Sequence, residues 1–439
     1  MRTRTQQNDE GFTLVEVVVA MLIIGIILTG FLYTMTASLT STRDTRARVV
    51  AANLAAQQID VLRSAANPFT VTDSSHDLEL NGDTFHVKVE TDWVDNSGSV
   101  ASCESGAAVD SLAYNHVTVK VTWDNMRDGA QPVYSDTSLT PRTKINDPNL
   151  GTVLVGVVNA AGTAVSGATV SLSPASVAAT TTDSDGCAYL LKVPAGTYTV
   201  KVSKIDYVSA QQQSTPTATV VVTAGDSSRA SFAYDWATKY AVAYATNTPG
   251  ARIPSNLTTT FLSTYGNFQL PATTSATSKT FSLYPISSGY SIVAGAYAET
   301  PESPSTSCLA PDPGQWPEAS GQVGIRPDPV AGTPGSVVPA AVSMGAISMS
   351  NLRDYYVKAE YVKAAPGPGD PGCEVGMTYT FDKVATNSAV TFALPYGTWK
   401  LFKGTSAGNQ PTQITSGITL TTSGTESGGV VVLDPRVTP

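Results

Sequence analysis

The stretch from Gly11 to Tyr33, GFTLVEVVVAMLIIGIILTGFLY, constrains this chain more than any other, because an apolar run long enough to span a bilayer encloses one carboxylate, Glu16. From Val17 to Met35 no residue is charged, and these nineteen positions at about 1.5 Å each make roughly 28 Å of helix, close to the ~30 Å of hydrocarbon in a membrane. A cleavable secretory signal is one reading, but its apolar core runs only about 7 to 15 residues and carries no acid. A plain anchor is another, and it would hold the acid in lipid at a cost on the order of 2.5 to 3.5 kcal/mol. Scission between Gly11 and Phe12 would offset that cost. The α-amino group freed on Phe12 is a cation of pKa about 8 that can neutralise Glu16 on the same chain or on a neighbouring copy.

Past the membrane the helix is predicted to continue. Ala52, Ala55, Ile59, Leu62 and Ala66 recur at 3,4,3,4 spacing as one apolar stripe, while Gln57, Asp60 and Ser64 take another face. Asn67-Pro68 ends the element, since the residue before proline is pushed out of the helical region. A helix from Phe12 to Ala66 would be roughly 80 Å long. With no proline between Gly11 and Pro68, Gly25 and Gly30 are the positions that could let it loosen.

The residues GFTLVE at Gly11, Phe12 and Glu16 resemble the signature of the type IV prepilin family: a short polar leader, Gly before the cut, Phe after it, and Glu five residues into the mature chain. The resemblance implies that a membrane-embedded prepilin peptidase cuts after Gly11 and methylates the Phe12 amine. It also implies that Glu16 sets the register of subunits entering a pilus or pseudopilus. The leader departs from many relatives in ending Asp9-Glu10-Gly11, with its bases only at Arg2 and Arg4, while Arg43, Arg46 and Arg48 follow the helix. A cytoplasmic leader therefore follows from the resemblance and the strand-rich remainder, not from the positive-inside count.

At 439 residues the chain exceeds what one core ordinarily holds. Only 14% of residues are charged, and 35 Gly and 27 Pro point to many short strands joined by turns. A net charge of -9 and the lack of a clustered basic face exclude a nucleic-acid binder. Asn81-Gly82 followed by Phe85, Val87 and Val89 signals a hairpin, and Val117, Val119, Val121 and Trp123 line one face of a further strand. The expected organisation is a leader at 1–11, a transmembrane and amphipathic pilin helix at 12–68, and a pilin head sheet at 69–147.

Gly156, Gly162, Gly167-Ala168, Thr182-Asp183, Gly186, Tyr189, Pro194, Gly196 and Tyr198 resemble the carboxypeptidase-regulatory-like, or transthyretin-like, family, which implies a non-catalytic β-sandwich at 148–227. The remaining ligands of a calcium loop are missing around Asp183 to Gly186, so a tight turn is expected there. A Pro-Gly-aromatic strand ending recurs at Val193, Leu283 and Leu394, roughly a hundred residues apart. Further β-modules are expected at 228–300 and 335–439, separated by a Pro-rich linker or loop at 301–334. The fold class is thus α+β: a long N-terminal transmembrane helix with a small antiparallel pilin sheet, followed by tandem all-β sandwich modules.

Four cysteines never occur as CxxC, which leaves zinc no ligand spacing and favours disulfides, Cys308 with Cys373 as the preferred pair and Cys103 with Cys187 as the second. No catalytic motif and no cofactor or metal signature occurs, so no enzyme is expected. Phe232, Tyr234 and Trp236 alternate, as do Tyr240 and Tyr244; Tyr234, Trp236 and Tyr240 form a candidate aromatic binding surface for sugar faces, with sandwich core as the competing reading.

These features give a minor pilin-like subunit, a single-pass protein of the cytoplasmic membrane before assembly and part of a cell-surface pilus or pseudopilus after it. Its expected partners are other pilin subunits, the prepilin peptidase, and a surface glycan or host ligand bound by the β-modules. The alternative is a membrane-anchored surface protein with a carbohydrate-binding-like module that never assembles into filaments.

Overall fold

The computed structural model describes residues 14–65, 67–96, 98–100, 103, 112–127, 129–141, 149–271, 275–300, 302–364 and 366–438. One helix, α1 (Leu14–Arg63), opens the chain. Its N-terminal half is apolar around the whole circumference, and its second half carries the buried residues Ala47, Ala51, Ala55 and Ile59. That i, i+4 stripe corrects the expected one: Ala52 faces solvent and Ala51 takes the inward position. Ala66 lies outside the described residues.

The helix packs on a four-stranded antiparallel sheet in the order β1 (Ser74–Leu80), β2 (Asp83–Asp95), β3 (Leu112–Trp123), β4 (Val133–Leu139). Leu80 pairs with Asp83 across a two-residue loop in which Asn81 has φ 55° and Gly82 φ 80°, the left-handed pair a tight hairpin requires. Phe85, Val87 and Val89 on β2 and Val117, Val119, Val121 and Trp123 on β3 turn the same face to the alanine stripe. Small alanines let the helix backbone approach while the β-branched residues fill the layer between.

Next come β5 (Leu150–Val158), β6 (Thr169–Ser173), β7 (Thr180–Thr181), β8 (Cys187–Pro194), β9 (Gly196–Ser203), β10 (Tyr207–Ser209), β11 (Thr217–Val222) and β12 (Ser227–Trp236). They form two four-stranded sheets, β10-β12-β5-β8 and β11-β9-β6-β7. The Asp183 carboxylate accepts from the Asp185 and Cys187 amides at 3.1 and 2.8 Å, closing a turn on its own backbone.

The rest of the chain departs from the expected layout. Two separate modules at 228–300 and 335–439 would each need a core of their own, yet a single cluster of buried residues runs from Val208 to Leu433. In it β13 (Thr238–Tyr244) pairs antiparallel with β16 (Ser278–Leu283) and parallel with β18 (Val337–Val342), so the first expected module and the second share a sheet. A separate sheet holds β14 (Thr258–Ser263) between β15 (Gly266–Pro271) and β17 (Ser291–Ala294). The Pro-rich segment between them is an ordered strap. Cys308, Ala310 and Asp312 are fully buried within it, and the Trp316 indole donates to the Ala310 carbonyl at 2.9 Å.

Candidate assembly site

Every residue of α1 from Leu14 to Arg43 is exposed, including Val15, Leu22, Ile23, Ile26, Leu28, Phe31 and Leu32. Exposure of so much contiguous apolar surface is untenable in water and points to lipid or another protein as its environment. The helix is long and apolar enough to cross a membrane. Its polar side chains suit that environment. The hydroxyls of Thr29, Thr34, Thr36 and Thr40 each donate to the carbonyl four residues back, so these four need no water. A Cβ at Gly25 or Gly30 would meet nothing within 4 Å, so neither glycine serves packing inside the chain.

The exposed run ends at a polar collar. Arg43 pairs with Asp83, the Trp123 indole donates to Asp44 at 3.2 Å, Arg48 donates to the Gln131 carbonyl at 3.3 Å, and Arg63 to the Thr137 hydroxyl at 2.9 Å. Beside it, His86 bridges Asp77 at 2.8 Å and Asp124 at 3.1 Å. Hydrogen bonds to Asp77 and then Asp124 raise the His86 pKa, and the bond to His86 lowers that of Asp124. Pattern reading did not single out this collar, because its members lie up to 83 residues apart.

Of the residues singled out in the sequence, Glu16 stands in the first turn of α1, where a carboxylate is favoured by the helix dipole. Gly11 and Phe12 lie outside the described residues. Cys308 and Cys373 form a disulfide, Cys103 and Cys187 are disulfide-bonded as well, and none of the four is free.

The candidate aromatic surface is corrected. Tyr234 and Tyr240 are fully buried, while Trp236 is 48% exposed. Tyr240 points into the core, edge-on to Phe261 and Tyr290, and burial pushes its phenol up to about 12. Tyr234 is a buried strut: its hydroxyl receives the Lys204 amide at 2.9 Å and donates to the Ser214 carbonyl at 2.8 Å. Trp236 lies two residues further on the same strand face, at the end of β12, between the buried residues Asp235 and Ala237.

Residues 6–32 match the prokaryotic N-terminal methylation motif, and residues 152–234 match the carboxypeptidase regulatory-like domain. Neither family is one of enzymes. No curated protein matches the chain. Among solved structures the chain is similar to the Bacillus anthracis TIE protein, at 13% identity and a TM-score of 0.20, with 78% of this chain and 70% of that one covered. It is also similar to a streptococcal ancillary pilin, at 12% identity and a TM-score of 0.19, covering 53% and 76% of the two chains. For the major pilin subunit of Bacillus cereus the values are 11% and 0.18, covering 58% and 87%. At these scores the likenesses carry no weight for function.

Proposed function

We propose that this chain, which carries a prepilin methylation motif running into an apolar helix and is thereby a membrane-anchored, pilin-like surface subunit, acts as a minor subunit that displays its β-rich portion for adhesion or surface recognition. The observation that carries this reading is the division of α1. All of Leu14 to Thr42 is left uncovered by its own chain, and self-contact begins at the collar with Arg43. A helix so disposed leaves the membrane by exchanging lipid for the helices of other pilin subunits. Glu16 then meets the methylated Phe12 amine released by the prepilin peptidase after Gly11, which relieves the desolvation of both. Size supports the minor role, since about 290 residues beyond the pilin head would crowd neighbours repeated along a shaft. The protein acts by binding, without catalysis.

Mass analysis and N-terminal sequencing of the protein from its native cell test the reading. The expected product begins at Phe12 and carries one added methyl group, and Glu16→Ala is expected to abolish recovery in sheared surface filaments. An uncut chain, or unchanged incorporation of Glu16→Ala, would overturn it in favour of an anchored protein that never assembles.

A further inference from the structure

A cleft of about 710 Å³ opens where the turn after β9 faces Ser214 and Thr215, and Ala237 and Ser282 also line it. Its walls are fixed from below. The buried Tyr234 hydroxyl bonds to both the amide and the carbonyl of Lys204 on one wall, at 2.9 and 3.1 Å, and to the carbonyl of Ser214 on the other, at 2.8 Å. A cleft pinned in this way has little ordering entropy left to lose when it binds.

The lining is polar and unspent. Among the described residues the side-chain hydroxyls of Thr169, Ser203, Thr215 and Ser282 and the carboxylate of Asp206 have no hydrogen-bond partner. Lys204 donates to the Ser166 carbonyl at 2.8 Å and lies 4.4 Å from the centre of the Tyr207 ring. One ammonium and one carboxylate leave the cleft without net charge, which favours a neutral ligand rich in hydroxyls.

Apolar surface borders the same opening. Ile205, in the lining, is 88% exposed. Tyr207, also in the lining, is paired in register with Trp236, so the two side chains stand on one face. The indole is seated from beneath. A Cβ built on Gly335 would lie 2.8 to 2.9 Å from three ring carbons of Trp236, which places the glycine backbone against the flat of the ring, and Gly335 itself has φ +75°. With one face resting on Gly335 and the residue 48% exposed, the opposite face is open.

From this juxtaposition we infer that the Trp236 face and the adjoining cleft form a binding site for a neutral oligosaccharide, a pyranose ring stacking on the indole while Asp206 and the cleft hydroxyls bond the ring hydroxyls of the neighbouring unit. Asp206 accepts from vicinal hydroxyl groups, and the serines and threonines serve as donors or acceptors. The inference rests on the recognition role proposed above. It fails separately, because sugar affinity is measured on the isolated chain and filament incorporation is not involved.

The test uses the full chain in lauryldimethylamine oxide, a detergent with no sugar headgroup, titrated with cellohexaose, maltohexaose, mannohexaose and sialyllactose and followed by calorimetry and tryptophan fluorescence. At least one of the three neutral hexasaccharides is expected to bind and shift indole emission. Trp236→Ala should weaken that binding about tenfold or more, with Trp236→Phe in between. Asp206→Asn, at an exposed turn, should weaken it about fivefold and provides a second reading if Trp236→Ala does not fold. Binding by none of the neutral sugars, binding by sialyllactose alone, or an unchanged affinity in Trp236→Ala or Asp206→Asn with the parent's melting temperature would overturn the site.

Discussion

The two halves of α1 are continuous in backbone and opposite in commitment. From Leu14 to Met35 the side chains are mostly large, apolar and uncovered, whereas from Asp44 to Arg63 the buried positions are mainly alanines set four apart against a sheet. Hydrophobicity therefore marks where this chain meets something outside itself, and small size marks where it meets itself. The free energy of the head should be insensitive to the first half and sensitive to the second.

The largest expected effect lies in the layer beneath the second half. Phe85 is 1% exposed and packs in the same cluster as Ala51 and Ala55, so Phe85→Ala should cost the head about 3 to 5 kcal/mol in denaturant unfolding. Ala51→Leu forces three extra carbons into a fully buried seam and should cost about 1 to 3 kcal/mol by the same measurement. A near-zero value would mean that the stripe does not touch the sheet. Asp44→Ala strands the buried Trp123 indole N–H and should cost about 1 kcal/mol or slightly more.

The pH response is smaller and has a definite sign. Because the folded His86 pKa is raised, its contribution is complete below the ordinary histidine value of about 6.5 and fades as pH rises through the higher folded value. The lowered Asp124 acts the other way, contributing above the ordinary aspartate range and losing its effect as acid protonates it. Head stability followed by circular dichroism should thus decline mildly above neutrality, and His86→Gln should flatten that decline. The smallest effect is a null. Leu22→Ala should leave unfolding of the head within about 0.5 kcal/mol of the parent, because Leu22 has no neighbour in its own fold.

Much of the first region was legible because its signals are local. The apolar length and the Asn81-Gly82 hairpin each sit within a few residues of their consequence. The alanine stripe was out of phase because Ala51, Ala52, Ala55 and Ala56 stand in adjacent pairs, and alanine is too weakly apolar to declare which member turns inward. The parallel pairing of β13 with β18 could not be read at all. It joins strands about a hundred residues apart, and nothing in either strand names its partner. Alternation correctly put Tyr234 and Trp236 on one face. It could not tell how burial differs along that face, which leaves one ring as an internal strut and the other half open to solvent.

The bridge between Cys308 and Cys373 spans 65 residues that include β18 and part of the proline-punctuated strap. A protease that nicks the backbone anywhere inside that span severs the polypeptide but not the molecule, since the sulfurs keep both fragments joined. Outside the cell, where hydrolases are abundant and reductants scarce, the clipped protein would stay whole on the surface and run as a single band until thiol is added to the gel sample.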